Sequence, residues 1–288
     1  MLHLDGDQTR AALPMVDAIA AMEQAFGPDV EVPMRIKLGP SLLMAGRVGD
    51  HIAVKAVSTV PGNPVGIVVV FDNSGSPVGT VDGPTLTALR TGAVSGLATR
   101  LLAIEEARTL AMLGAGAMAF DQVDAVVTVR PIERVVVWSR HKERAEDLAR
   151  RVGGEVADAP AEAVAIADVV SCATPSTVAL FRADAAPAHV HVNAVGAFTP
   201  DMVEVPAALL NVGFVVVDDI EAAAAEAGDL ISADRDPDAT LSEVLAGVAL
   251  PTRRPTIFKS VGIAPQDVAA AVAALDNAKR LGIGSSVG

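Results

Sequence analysis

The chain has 288 residues, 51% hydrophobic and 20% charged, which is enough to bury a large core in one or two domains. A formal net charge of −13 repels nucleic acid and anionic membrane, and no apolar run approaches the roughly 20 residues of a membrane span. The absence of Tyr excludes a Tyr general acid, and the lone Cys172 excludes an intrachain disulfide framework and a multi-Cys metal site.

In chain order, the opening MLHLDGDQTR is acidic where a signal peptide needs an apolar run; with the single cysteine this points to the cytoplasm. From Thr9 to Phe26, Leu13, Val16, Ile19, Ala20 and Met22 recur at helical steps, and Gly27-Pro28 stops the pattern. Residues 33–55 read as strands and turns. Ile67 to Phe71, the turn Asp72-Asn73-Ser74-Gly75, and Val78 to Val81 form a predicted hairpin. Thr85 is placed to cap a helix from Leu86 to Leu102. From Thr109 the rhythm changes. Strands TLAMLG, RVVVWS, DVVSCA, HVHVNAVG and FVVVDD are separated by crossovers, which implies a Rossmann-like, doubly wound parallel sheet. Gln266 to Leu281 is a final helix. The predicted division is a mixed α+β domain, 1–107 plus 264–288, and a Rossmann-like domain, 108–263, in an α/β protein.

The segment Gly114-Ala115-Gly116-Ala117-Met118-Ala119 is the G-x-G-x-x-A form of the dinucleotide fingerprint, between a strand and a helix. Gly114 allows the tight turn, Gly116 lets backbone approach the pyrophosphate, and Ala117 and Met118 lie where the helix N-terminus meets the anion. The next strand ends in Ser139-Arg140-His141. An NAD site places an acid there, about 20 residues past the motif; here a hydroxyl and a guanidinium suit a 2′-phosphate. The predicted cofactor is NADP(H) in preference to NAD(H).

Three cations stand out in the first part: Arg35, Lys55 and Arg90. Arg90 falls near the apolar face of its helix, where a charge is costly unless paired. Read alone, the three are surface cations or structural ion pairs as readily as a site. Their surroundings are more specific. Val54-Lys55-Ala56-Val57 with Pro61-Gly62-Asn63, LTALRTGA from Leu86, LGAGAMA from Leu113, VNAVG from Val192 with Pro200-Asp201-Met202-Val203-Glu204, Glu226-Ala227-Gly228-Asp229, and FKSVG from Phe258 follow one another in order. In these segments the chain resembles the ornithine cyclodeaminase/mu-crystallin family over about Ala11 to Ala271.

The resemblance implies a homodimer, with the N-terminal domain forming substrate pocket and dimer interface and the C-terminal helix packing back on it. It implies a substrate that is an amino acid or cyclic imine carrying a carboxylate. Arg35 and Arg90 then clamp the carboxylate, Lys55 sits beside the reacting carbon or the carboxylate, and Val261 and Gly262 offer backbone contacts; a lysine in a cationic, partly desolvated pocket suits proton transfer. Thr91, Thr174, Val195 and Gly196 join the glycine loop around the cofactor. The chain departs from the family at Phe198, where ornithine cyclodeaminases carry a catalytic Asp. A Phe cannot accept a proton, which argues for a ketimine reductase or amino-acid dehydrogenase. The alternatives are a cyclodeaminase-like lyase with internally recycled NAD, and a non-catalytic NADPH-dependent binder.

Other polar residues read as structural. His189 and His191 share one strand face and pack rather than bind metal. Cys172 is a small apolar core residue. Asp218 and Asp219 are placed to cap the helix after Ile220, and Glu226 to Asp229 is an expected surface turn with a family-specific structural role.

Overall fold

The computed structural model describes residues 1–58, 60, 65–251 and 255–286. Pro61-Gly62-Asn63 therefore lies outside the described residues. In chain order the elements are β1 (Leu2–Leu4), α1 (Gly6–Ala12), α2 (Met15–Ala25), β2 (Val30–Glu31), β3 (Ile36–Leu38), β4 (Ser41–Val48), β5 (His51–Ser58), β6 (Gly66–Asp72), β7 (Pro77–Asp82) and α3 (Gly83–Leu102). There follow β8 (Thr109–Leu113), α4 (Ala119–Val129), β9 (Arg134–Trp138), α5 (Lys142–Val152), β10 (Glu155–Val156), α6 (Pro160–Ala165), β11 (Val169–Cys172), β12 (His191–Ala194), α7 (Ala207–Val212) and β13 (Phe214–Val217). Last come α8 (Ile220–Glu226), α9 (Gly228–Ala233), β14 (Ala239–Thr240), α10 (Leu241–Leu245), β15 (Thr256–Lys259), α11 (Ala264–Leu281) and β16 (Ser285–Ser286). The chain is α/β and divides into two compact units, Met1–Val94 with Ile263–Gly288, and Ser95–Gly262.

In the first unit the sheet order is β16-β1-β7-β6-β5-β4-β2, with β3 also on β4. Strands β4 to β7 form an antiparallel meander, so side chains alternate between its faces. One face carries the row Met44, Lys55, Val68, Val81, all buried. Helix α11 lies against β4 to β7. It approaches so closely that a Cβ on Gly79 would lie 2.5 Å from Leu275 Cδ2, and one on Gly46 would lie 2.9 Å from Ala264 Cβ. The opposite face is half-exposed and largely apolar, with Ile52, Val54 and Ile67 among its residues. Two helix limits differ from the expectation. Pro14 lacks an N–H and splits the expected first helix into α1 and α2. Helix α3 begins at Gly83, because Asp82, not Thr85, is the cap: its Oδ1 accepts from the Thr85 amide at 2.8 Å.

In the second unit all eight strands are parallel, in the order β10-β9-β8-β11-β12-β15-β13-β14. The chain starts in the middle at β8, runs one way through β9 and β10, then reverses to β11. That reversal, between β8 and β11, is where an open α/β sheet leaves a crevice at its carboxyl edge. Strands β10, β14 and β15 were not among the five expected. The first two have only two residues each, and β15 (TIFK) has polar ends that hide its apolar centre.

Candidate active site

The first unit gathers the expected cations. Lys55 is 3% exposed in β5 and faces α11 from the middle of the sheet. Its Nζ donates to Asp267 Oδ1 at 2.9 Å, and Arg90 Nε donates to the same oxygen at 3.2 Å. Arg90 Nη1 donates to Gln266 Oε1 at 2.7 Å. Gln266 and Asp267 stand in the first turn of α11, where a carboxylate is favoured by the helix dipole. Burial lowers the Lys55 ammonium to about 8; Asp267 opposes that shift, while the charges of Arg90 and Arg35 add to it. Arg35 is half-buried just before β3. Lys55 and Arg90 thus share one carboxylate oxygen, and the charge of Arg35 also reaches Lys55, an arrangement suited to an anionic ligand. Thr91 follows Arg90 in α3 and is buried.

In the second unit the remaining expected residues line the carboxyl edge of the parallel sheet. Gly114 adopts φ +115, and a Cβ there would lie 2.6 Å from the Ala173 carbonyl oxygen, so only glycine fits. Its amide donates to the Trp138 carbonyl at 2.8 Å, which places the loop beside Ser139. Gly116 has open space where a Cβ would stand, and α4 begins at Ala119, its N-cap residue Met118 making no side-chain cap bond. Gly116 and Ala117 are exposed and Met118 half-buried. This cradle fits a pyrophosphate. Ser139 is half-buried, while Arg140 and His141 are exposed at the start of α5. Thr174 follows β11; Val195, Gly196 and Phe198 follow β12, with Phe198 42% exposed.

Sequence reasoning missed the groups that hold these loops. Glu204, fully buried, accepts from the Thr174 amide (2.6 Å) and hydroxyl (2.8 Å) with one oxygen. With the other it accepts from the amides of Gly196 (2.8 Å) and Ala197 (3.0 Å). Asp229 Oδ1 in turn accepts from the amides of Glu204 and Val205, and its Oδ2 lies 2.7 Å from Lys259 Nζ. Lys259 also donates to the Ala197 carbonyl. A Cβ on Gly196 would stand 2.1 Å from the Thr174 nitrogen. In the first unit Gln266 and Asp267 were missed as site residues, being read only as helix.

Several expectations are corrected. Asp229 is not in a surface turn but 1% exposed, because it is the counter-ion of Lys259. Asp219 caps α8 through the Ala222 amide, but Asp218 does not: its Oδ2 accepts from Ser260 Oγ and from the amides of Val261 and Gly262. The Val261 and Gly262 amides are therefore already engaged. His189 precedes β12, is exposed and pairs with Asp168, so it does not share a strand face with His191. His191 is buried beside Thr256 and Asn193, and burial lowers its imidazole to about 4. Cys172 is buried in β11, where burial pushes its thiol up.

Among the described residues no helix is long and apolar enough to cross a membrane. The model of the ornithine cyclodeaminase/mu-crystallin family matches residues 33–281. A Delta(1)-pyrroline-2-carboxylate reductase of Bacillus cereus is 34% identical over 263 residues, 83% of this chain and 81% of its own. An L-lysine cyclodeaminase of Streptomyces rapamycinicus is 39% identical over 224 residues, 74% of this chain and 65% of its own. The structure of the Thermococcus litoralis Delta(1)-pyrroline-2-carboxylate reductase, in complex with NADH and L-proline, superposes with a TM-score of 0.92 at 29% identity, covering all of both chains. The chain belongs to the ornithine cyclodeaminase/mu-crystallin family.

Proposed function

We propose that this chain is a reductase of carboxylate-bearing imines that uses a nicotinamide dinucleotide. The observation that carries this is the buried Lys55–Arg90–Asp267 cluster with Arg35 beside it. Arg35 and Arg90 hold the substrate carboxylate, and Lys55 delivers a proton to the imine nitrogen. An ammonium lowered to about 8 is still charged near neutrality and gives up its proton readily. When bound, the reduced cofactor supplies the hydride that the imine carbon accepts. The C=N π pair becomes the new N–H bond, and neutral Lys55 regains its proton from water. Gly114, Gly116, Ala117 and Met118 hold the pyrophosphate, with Thr174, Val195 and Gly196 toward the nicotinamide. Phe198 stands where a cyclodeaminase needs an acid, which favours reduction over ammonia release.

Ser139 and Arg140, with no acid in their place, favour NADPH over NADH. His141 adds a third polar side chain at the adenosine end. The unit of residues 1–94 and 263–288 binds substrate and pairs two copies through the apolar outer face of its sheet; the other binds cofactor. Absorbance at 340 nm over a panel of cyclic imino acids with both cofactors tests this reading. Oxidation of either cofactor by an imine supports it, faster NADPH oxidation supports the cofactor preference, and silence with every imine overturns it.

A further inference from the structure

Two buried polar atoms of the cation cluster have no hydrogen-bond partner among the described residues: Asp267 Oδ2 and Gln266 Nε2. Their residues are 1% and 0% exposed. Such groups are rare in folded proteins and costly, so each calls for a cause. Here one is an acceptor and the other a donor. Both belong to side chains fixed by Arg90, which holds Asp267 Oδ1 at 3.2 Å and Gln266 Oε1 at 2.7 Å. The orphans are therefore the far atoms of two groups whose near atoms are already positioned. A free carboxylate oxygen matches a protonated nitrogen. A free amide N–H matches a carboxylate oxygen. An α-imino or α-amino acid carries both, on adjacent atoms.

We propose that Asp267 and Gln266 contact the substrate directly. Asp267 Oδ2 accepts from the N–H of the protonated imine or amine, and Gln266 Nε2 donates to the carboxylate. The inference rests on the imine-reductase reading and sharpens it. The cluster then recognises the zwitterion, rather than any carboxylate, and the selectivity for nitrogen comes from Asp267. Without that carboxylate the selectivity for nitrogen is lost, and a plain carboxylic acid binds as well as an amino acid.

The test is calorimetric titration of the cofactor-loaded protein with L-proline and L-alanine, each against its analogue lacking nitrogen, cyclopentanecarboxylate and propionate. Wild type is expected to bind at least one amino acid about tenfold or more tighter than its analogue, the worth of a charged hydrogen bond. In Asp267→Asn that ratio falls to about one. In Gln266→Glu, which keeps an oxygen for Arg90 and removes the donor, both ligands of a pair weaken about tenfold or more while their ratio survives. An unchanged ratio in Asp267→Asn overturns the inference, as does unchanged affinity in Gln266→Glu or wild type that binds none of the four. If Asp267→Asn does not fold, the Gln266→Glu arm decides alone. Imine turnover by wild type, read at 340 nm, is scored separately, so a chain that discriminates nitrogen without reducing imines refutes only the reductase reading.

Discussion

Replacing Asp229 by asparagine tests whether one buried charge pair holds the loops at the sheet edge. Asparagine keeps an oxygen for the amides of Glu204 and Val205, bonded at 2.6 and 2.8 Å, and removes the charge 2.7 Å from Lys259 Nζ. Neither side chain reaches solvent. Leaving one partner of a buried pair unmatched costs about 3–5 kcal/mol. At about 2–4 °C per kcal/mol for a domain of this size, the melting temperature falls by roughly 6–20 °C. Adding Lys259→Met removes the stranded ammonium, so the double variant is expected to be more stable than the sum of the two single losses allows. The assay is thermal and urea unfolding of the four proteins of the cycle, followed by the fluorescence of Trp138, the only tryptophan, which sits in β9 of the same unit. If the two single losses add in the double variant to within about 0.5 kcal/mol, the pair is uncoupled and the reasoning is refuted.

Lys55→Met is expected to lower kcat for imine reduction about 10²-fold or more while NAD(P)H binding, measured by fluorescence, is retained. With the Lys55 ammonium at about 8, wild-type reduction declines as pH rises through that value because the proton donor is lost; the reverse oxidation, which needs the free amine, rises over the same interval. Coincident profiles for the two directions would contradict the assignment. Arg140→Ser is expected to raise KM for NADPH about tenfold and leave KM for NADH within about twofold; steady-state kinetics with both cofactors read this. Val54→Asp puts a charge on the outer sheet face, where Val54 is 41% exposed, and is expected to halve the mass seen in sedimentation equilibrium.

Much of the fold was legible because its signals are local. The continuous runs at Leu110, Val135 and Val215 mark parallel strands buried on both faces, and Gly114 marks a turn that no other residue can make. The meander was legible from alternation around Asp72-Gly75. What stayed hidden depends on partners distant in sequence. Asp267 looks like an ordinary first-turn acid until Lys55, 212 residues earlier, is seen beside it. Asp229 reads as a polar turn until Lys259 neutralises it, and Glu204 lies in a Pro-rich stretch, its four donors coming from two separate segments, Thr174 and Gly196-Ala197. A buried charge is written in the sequence only as a charge; its partner decides where it goes. One signal was available: FKSVG places a lysine directly after three residues of a buried strand, where an unpaired ammonium could not stay.

The first unit is made of both ends of the chain, and this orders its assembly. Lys55 and Arg90 leave the ribosome long before Asp267 and Gln266, which meet them from α11. Until α11 is made the meander has Lys55 and Arg90 without the carboxylate of Asp267, and a sheet face with no helix to cover it. Residues 95–262 are contiguous and can close their own core as they emerge. All residues of the fingerprint-bearing unit are thus made before the C-terminal helix that completes the other. Released chains truncated after Gly262 should keep a protease-resistant second unit and a digestible N-terminal segment.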